Sequence, residues 1–201
     1  MESEVNKSAF VSFDKYIVGI TSLEILLHCL KSVKEKATYW QWIYISLHSA
    51  VQAYMVLALT FSHSLWTYKK KDMEDWLEKY NSNEPLPDCE LDYFLNLYRK
   101  TKSKKFLFYN DSVKFIPSKT QDWSIKRLNT LRNDFIHYKY GGLTLFNNPP
   151  YVIVTDCLDY IEFLAFQSNN VVWFEESYKN ETERLLSECR SVVNSQSGNN
   201  D

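Results

Sequence analysis

Glycine and proline are scarce in this chain, four and five among 201 residues. That scarcity excludes a chain made mainly of turns and linkers and points to long regular elements. Cysteine is equally thin. Cys29, Cys89, Cys157 and Cys189 are scattered, with no C-x-x-C pair and no histidine at finger spacing, so no zinc signature is present and no metal or cofactor is assigned. Charge of one sign is also lacking, because 23 basic residues stand against 25 acidic ones for a net charge of −2. A polyanion partner would have to meet a local patch rather than the field of the whole protein. The opening residues, Met-Glu-Ser-Glu-Val-Asn-Lys, have neither the basic start nor the apolar core of a secretory signal. A cytoplasmic protein with reduced thiols is the expectation.

What the chain holds in quantity is aromatic: 14 Tyr, 12 Phe and 6 Trp. A chain of this length suits one domain with a sizeable core, built from long regular elements. Residues 8–35 place Phe13, Ile17, Ile20, Leu23, Leu27 and Leu30 at three- and four-residue spacing, which predicts a first helix. A second helix is expected over residues 38–65, with Thr38 as its N-cap. Within it, residues 43–61 are apolar enough to span a bilayer, but His48, Gln52, Ser46 and Ser49 interrupt them, as in the buried helix of a bundle. The buried helix is the reading preferred here, and a membrane anchor is the alternative.

Short helices are expected over 72–80 and 89–100, separated by Asn81-Ser-Asn-Glu-Pro-Leu-Pro87. Residues 106–116 have a weak strand-turn-strand pattern and read as a loop or small hairpin. Pro117-Ser118 introduces a helix over 120–138, closed by Gly141-Gly142. Helical spacing recurs over 151–167 and 171–193, and a polar tail follows from 194.

The hexad Arg132-Asn133-Asp134-Phe135-Ile136-His137 places charge where packing alone would not. On a helical wheel Arg132 falls among Ile125, Leu128, Leu131, Phe135 and Ile136. A cation in an apolar stripe must be paired, reach an open cleft or belong to a site, because unpartnered burial costs several kcal/mol. Arg132 and His137 diverge by about 140° on an ideal helix, so one straight helix does not aim both at one atom. The constraint eases if the helix frays near Tyr138, if the long arginine side chain bends round, or if a second copy of the chain supplies the missing group across an interface. An imidazole that titrates near neutrality can take a proton from a ribose 2′-hydroxyl, and an arginine can hold charge on phosphate. A surface pair, or one capping the helix end, is the plainer account of the same spacing.

Residues 131–138, Leu-Arg-Asn-Asp-Phe-Ile-His-Tyr, resemble the R-x4-6-H signature of HEPN domains, including the polar residue that commonly follows the arginine. Residues 40–52, Trp-Gln-Trp-Ile-Tyr-Ile-Ser-Leu-His-Ser-Ala-Val-Gln, are similar to an early helix of bacterial members. The resemblance implies an all-α, up-and-down helical bundle that dimerises with its motif helices together, pooling two arginines and two histidines in a cleft. Many members are metal-independent endoribonucleases, often toxins or defence effectors; others bind nucleotides or partners without cleaving. By this resemblance Arg132 and His137 take the catalytic positions and Asn133 the supporting one. In one antitoxin-paired subgroup a tyrosine stands two residues after the histidine; here that residue is Lys139, which puts pairing with a nucleotidyltransferase antitoxin in doubt.

The expectation is therefore a single HEPN-like domain over 1–193, with an elaborated connection at 69–119 and a disordered tail at 194–201. It acts as a homodimer on RNA, with an antitoxin or defence protein as a further partner and no membrane. A non-catalytic dimerisation or nucleotide-binding module is the runner-up. Arg99, Lys100, Lys102, Lys104 and Lys105 form the densest basic run, with Phe106, Phe108 and Tyr109 behind it, and are the candidates for RNA contact. A solvated loop accounts for such a run more simply. His48 and Gln52 either line a pocket or include a hydrogen-bonded core histidine.

Overall fold

Residues 40–59 carry apolar side chains on all sides, and a helix of that kind needs neighbours all round. The computed structural model, which describes residues 13–60, 64–137 and 151–197, supplies them. Seven α-helices are present among these residues: α1 Lys15–Ser32, α2 Trp40–Leu59, α3 Lys70–Asn81, α4 Phe94–Thr101, α5 Lys119–Ile136, α6 Tyr151–Glu162 and α7 Glu176–Ser197. No strand occurs among them, only an isolated antiparallel bridge between Tyr68 and Leu91. The fold is all-α.

Helix α2 is the axis, packed against α1, α4, α5 and α6, while α7 closes over α1 and α6. Ile43, Leu47, Val51 and Met55 of α2 meet Leu26, Leu30, Leu128, Leu158 and Leu185 in one continuous core. Composition alone would let residues 37–59 cross a membrane, but 72% of the apolar window is buried inside the protein. The apolar run is therefore accounted for by the core. Gly19 permits the close crossing of α1 and α2, since a Cβ there would stand 3.1 Å from Cε2 of Tyr54. The hydroxyl of Tyr54 in turn reaches Thr182 of α7 at 2.7 Å.

Local signals explain most helix ends. Asp14 caps α1 by accepting from the backbone N–H groups of Tyr16 and Ile17. Ser118 and Gln121 form a capping box at the start of α5. After α3, Asn83 takes the left-handed conformation at φ 56°, and the Glu84 N–H closes onto the Lys79 carbonyl.

Several expected boundaries move. Helix α1 ends at Ser32, and the part expected before residue 13 lies outside the described residues. Thr38 is not an N-cap; it sits inside a 3-10 turn over Ala37–Tyr39 that leads into α2, and α2 stops at Leu59 rather than 65. Helix α4 begins at Phe94 rather than 89, because Glu90 to Asp92 pair with residues 67–69. Residues 107–116 form a loop, not a hairpin, since Asn170 donates to the Phe106 carbonyl and accepts from Ser112, and Val113 N–H reaches the Ser168 carbonyl. Residues 171–174 precede α7 instead of opening it. The Tyr16 hydroxyl donates to the Val172 carbonyl, and Trp173 and Phe174 pack on the Tyr16 ring. The tail expected from residue 194 is helical through Ser197, where buried Gln196 donates to the Leu30 carbonyl and accepts from Tyr151. Gly141, Gly142, Lys139 and residues 198–201 lie outside the described residues.

The elaborated connection is an excursion clasped at its base. Lys69 N–H donates to the Glu90 carbonyl and Asp92 N–H to the Thr67 carbonyl, so residues 67–69 and 90–92 lie side by side. Helix α3, carried beyond the clasp, buries none of its residues. The clasp sets Leu91 to Asn96 against the open side of α2 and α5.

Candidate functional site

Arg132 faces neither the core nor open solvent. It is half-buried on the last turn but one of α5, at the boundary of two adjoining cavities. His48, Gln52 and Leu91 join it in the wall that both cavities share. The first cavity, about 410 Å³, lies between α1, α2 and α5, and Val18, Ile45, Val56 and Ile136 make it largely apolar. The second, about 550 Å³, lies between α5 and the 91–96 segment; Gln52, Asn96, Asn129 and Asn133 make it amide-rich, and the Asp92 carboxylate also lines it.

The electrostatics favour an anion in the first cavity. Lys15 and Arg132 both line it, and no acidic residue does. Burial pushes the Lys15 ammonium below its ordinary value, while Asp14 pulls it back up. Among the described residues no carboxylate pairs with Arg132. Its Nη1 donates instead to Oδ1 of neighbouring Asn133 at 3.0 Å, a neutral partner that leaves the charge uncompensated.

His48 is buried, its ring stacked on Phe94 with centroids 4.0 Å apart. Burial lowers its pKa to about 4, and the Arg132 charge acts in the same direction against an opposing hydrogen bond from Asn129. At neutral pH the ring is uncharged. Nε2–H then donates to Asn129 Oδ1 at 3.3 Å, and Nδ1 keeps its lone pair. Both sequence readings of His48 hold together, since it is hydrogen-bonded in the core and lines a pocket.

The structure separates the other expected residues. Asn133 joins Arg132 at the second cavity. His137 is the C-cap of α5 and exposed; its N–H bonds the Asn133 carbonyl at 2.9 Å, and its side chain lines neither cavity. One chain does not bring Arg132 and His137 into one pocket. Within the basic run, Lys100 is 2.6 Å from buried Asp92 and donates to the Tyr68 carbonyl. Lys102 is held 2.8 Å from Asp122 and lies over the Tyr98 ring. Arg99 bonds Asn96, Lys104 is exposed, and Lys105 lies 5.6 Å above the Trp66 ring.

Lys15, Asn129, Asp92 and Asn96 belong to the site and escape a reading for motifs. Asn129 alone had a signal, since it stands three and four residues before Arg132 and Asn133 and so shares their helix face. Among the described residues no three His, Cys, Asp or Glu side chains converge as a metal-holding group.

Comparison of this chain with protein-family models, with curated proteins and with solved structures returned no match to any of them.

Proposed function

We propose that the protein is a metal-independent endoribonuclease of the HEPN type, acting on RNA as a homodimer, as a toxin or defence effector in the cytoplasm. The observation that carries this reading is Arg132: a half-buried guanidinium with only an amide partner, at the edge of a cavity whose other charge is also positive. Such a group binds an anion that enters the cleft, and a phosphodiester is an anion of suitable shape.

The reaction that these side chains support is transesterification. The 2′-oxygen attacks the adjacent phosphorus as His137 takes its proton, and the 5′-oxygen leaves with a proton taken from water. A 2′,3′-cyclic phosphate and a 5′-hydroxyl result. Arg132 holds the non-bridging oxygens, and Asn133 fixes the guanidinium.

Dimerisation answers the separation of Arg132 and His137. Trp42, Ile45, Ser49, Gln52 and Val56 follow one another at three- and four-residue steps, so they share one face of α2. Trp42 is 52% exposed on that face, and exposed Val18 and Ile136 border the same cavity. A second copy covering this apolar surface would bring its own His137 towards Arg132.

The test is cleavage of mixed RNA in EDTA by wild type, Arg132→Ala and His137→Ala, with circular dichroism as the folding control. The expected result is cyclic-phosphate products from wild type and a loss of about hundredfold or more in each variant. Equal cleavage by all three removes the catalytic assignment. Growth arrest on expression of wild type but neither variant would support the toxin role and a protecting antitoxin or defence partner.

The exposed position of His137 outside both cavities favours one other reading, a HEPN-like module that binds RNA or a nucleotide at Arg132 without cutting it.

A further inference from the structure

We infer that the two cavities at Arg132 continue into a third beside the basic run, and that together they form a groove for one strand of RNA, walled by the clasped connection. The inference rests on the proposed action on RNA and names the path of the strand. The third cavity, about 380 Å³, is lined by Trp66, Tyr68, Lys70, Arg99 and Lys105. It shares Asp92 and Asn96 with the second cavity, which shares His48, Gln52 and Arg132 with the first. The three hollows thus adjoin through common walls.

Charge along the groove suits a phosphate backbone. Arg99 and Lys105 are exposed, and among the described residues neither forms an ion pair. Asp92, the acid where the second and third cavities meet, is buried and neutralised by Lys100 at 2.6 Å. Lys70 pairs with exposed Glu74, at 3.5 Å. Aromatic rings line the same hollows: Trp66, with Lys105 lying over it, and Tyr68 in the third cavity, and Tyr93, 68% exposed, in the second. Bases stack on such faces without regard to sequence, and cations beside them meet the phosphates.

An acidic peptide would use the cations but leave the aromatic rings and the amides of Asn96 and Asn129 unmatched. A duplex keeps its bases stacked inside, away from separate hollows of this size. A single strand uses all three features. The clasp acquires a purpose in this arrangement, because pairing residues 67–69 with 90–92 sets Trp66 and Tyr68 beside the Leu91 to Asn96 wall.

The experiment is fluorescence anisotropy of the full chain with a labelled 2′-O-methyl oligouridylate, which lacks the attacking hydroxyl and is not cut. Arg99→Glu/Lys105→Glu is expected to weaken binding about tenfold or more and to flatten the plot of log Kd against log salt by about 1.4, two phosphates at about 0.7 each. Trp66→Ala is expected to weaken binding about tenfold through lost stacking. Lys34→Glu/Lys36→Glu, a reversal of equal charge on the α1–α2 connection, is expected to bind as wild type. Arg99 and Lys105 are surface side chains, so the double variant keeps its fold, which circular dichroism checks.

Wild-type affinity and salt slope in the double variant overturn the groove, as does absence of binding by wild type. Displacement of the probe by polyglutamate as readily as by polyuridylate also overturns it, in favour of a peptide. Cleavage of RNA by wild type alongside an unaffected double variant sinks the groove and leaves the nuclease reading standing. Binding through Arg99 and Lys105 without cleavage keeps the groove and sinks the nuclease.

Discussion

Asn129 Oδ1 lies 3.3 Å from His48 Nε2, and this bond joins α5 to α2 where His48 stands with Arg132 in the wall of both cavities and Asn129 lines the second. It fixes the imidazole with its proton turned towards the amide. A neutral ring then stands beside the guanidinium, and the cationic character of the cleft comes from Arg132 and Lys15 alone.

The low pKa of His48 makes stability depend on pH. Its folded value, about 4, lies below the ordinary 6.5. Above pH 6.5 neither folded nor unfolded chain protonates the ring, and the full stability is present. Between 6.5 and 4 the unfolded chain takes up a proton that the folded chain refuses, so stability falls as pH falls, by about 3 kcal/mol across the window. His48→Gln removes this contribution. Urea unfolding at neutral pH and at the acid end of the window is expected to show a smaller loss in the variant by about 2–3 kcal/mol, and the same loss in both proteins would contradict the assignment.

Tyr44 carries a different cost. Its side chain is fully buried, and its hydroxyl has no hydrogen-bond partner among the described residues. An unsatisfied buried hydroxyl destabilises by about 1 kcal/mol or more. Tyr44→Phe is therefore expected to raise the melting temperature by about 3 °C in a chain of this size. A fall in melting temperature would mean that the hydroxyl serves the fold.

Anion binding at Arg132 has a readout that requires no catalysis. A phosphate-bearing ligand at one hundred times its Kd stabilises the folded state by about 2.7 kcal/mol. Uridine 3′-phosphate is expected to raise the melting temperature of wild type and to leave Arg132→Ala unmoved, as followed by differential scanning fluorimetry. Equal shifts in both proteins would place the anion elsewhere.

The architecture was legible because helical periodicity is local. Leu23, Leu27 and Leu30, or Leu128 and Leu131, declare a buried face within a few turns. The boundaries were less so. Thr38 has the chemistry of an N-cap, but the turn that closes α1 onto α2 draws it inside a 3-10 segment. Phe174 keeps helical spacing with Tyr178, yet the packing of Trp173 and Phe174 on Tyr16 holds both out of α7. That contact spans most of the chain, and no local pattern encodes it.

The candidate site divides in the same way. Arg132 stood out because a cation in an apolar stripe is costly, and the structure gives it an open cleft with an amide partner. Lys15 and Asp92 come from distant segments and have no motif of their own. The basic run looked uniform in sequence, but Asp92 and Asp122 take Lys100 and Lys102 into the fold, which leaves Arg99 and Lys105 to face the groove.

Mixing two inactive variants decides whether cleavage needs Arg132 of one copy and His137 of another. Arg132→Ala and His137→Ala are unfolded together, refolded so that subunits exchange, and assayed on RNA in EDTA. The mixture is expected to cleave although neither variant does alone, since a mixed dimer contains one cleft with both groups intact. A mixture as inactive as its components, with exchange verified by differently tagged subunits, would contradict this expectation.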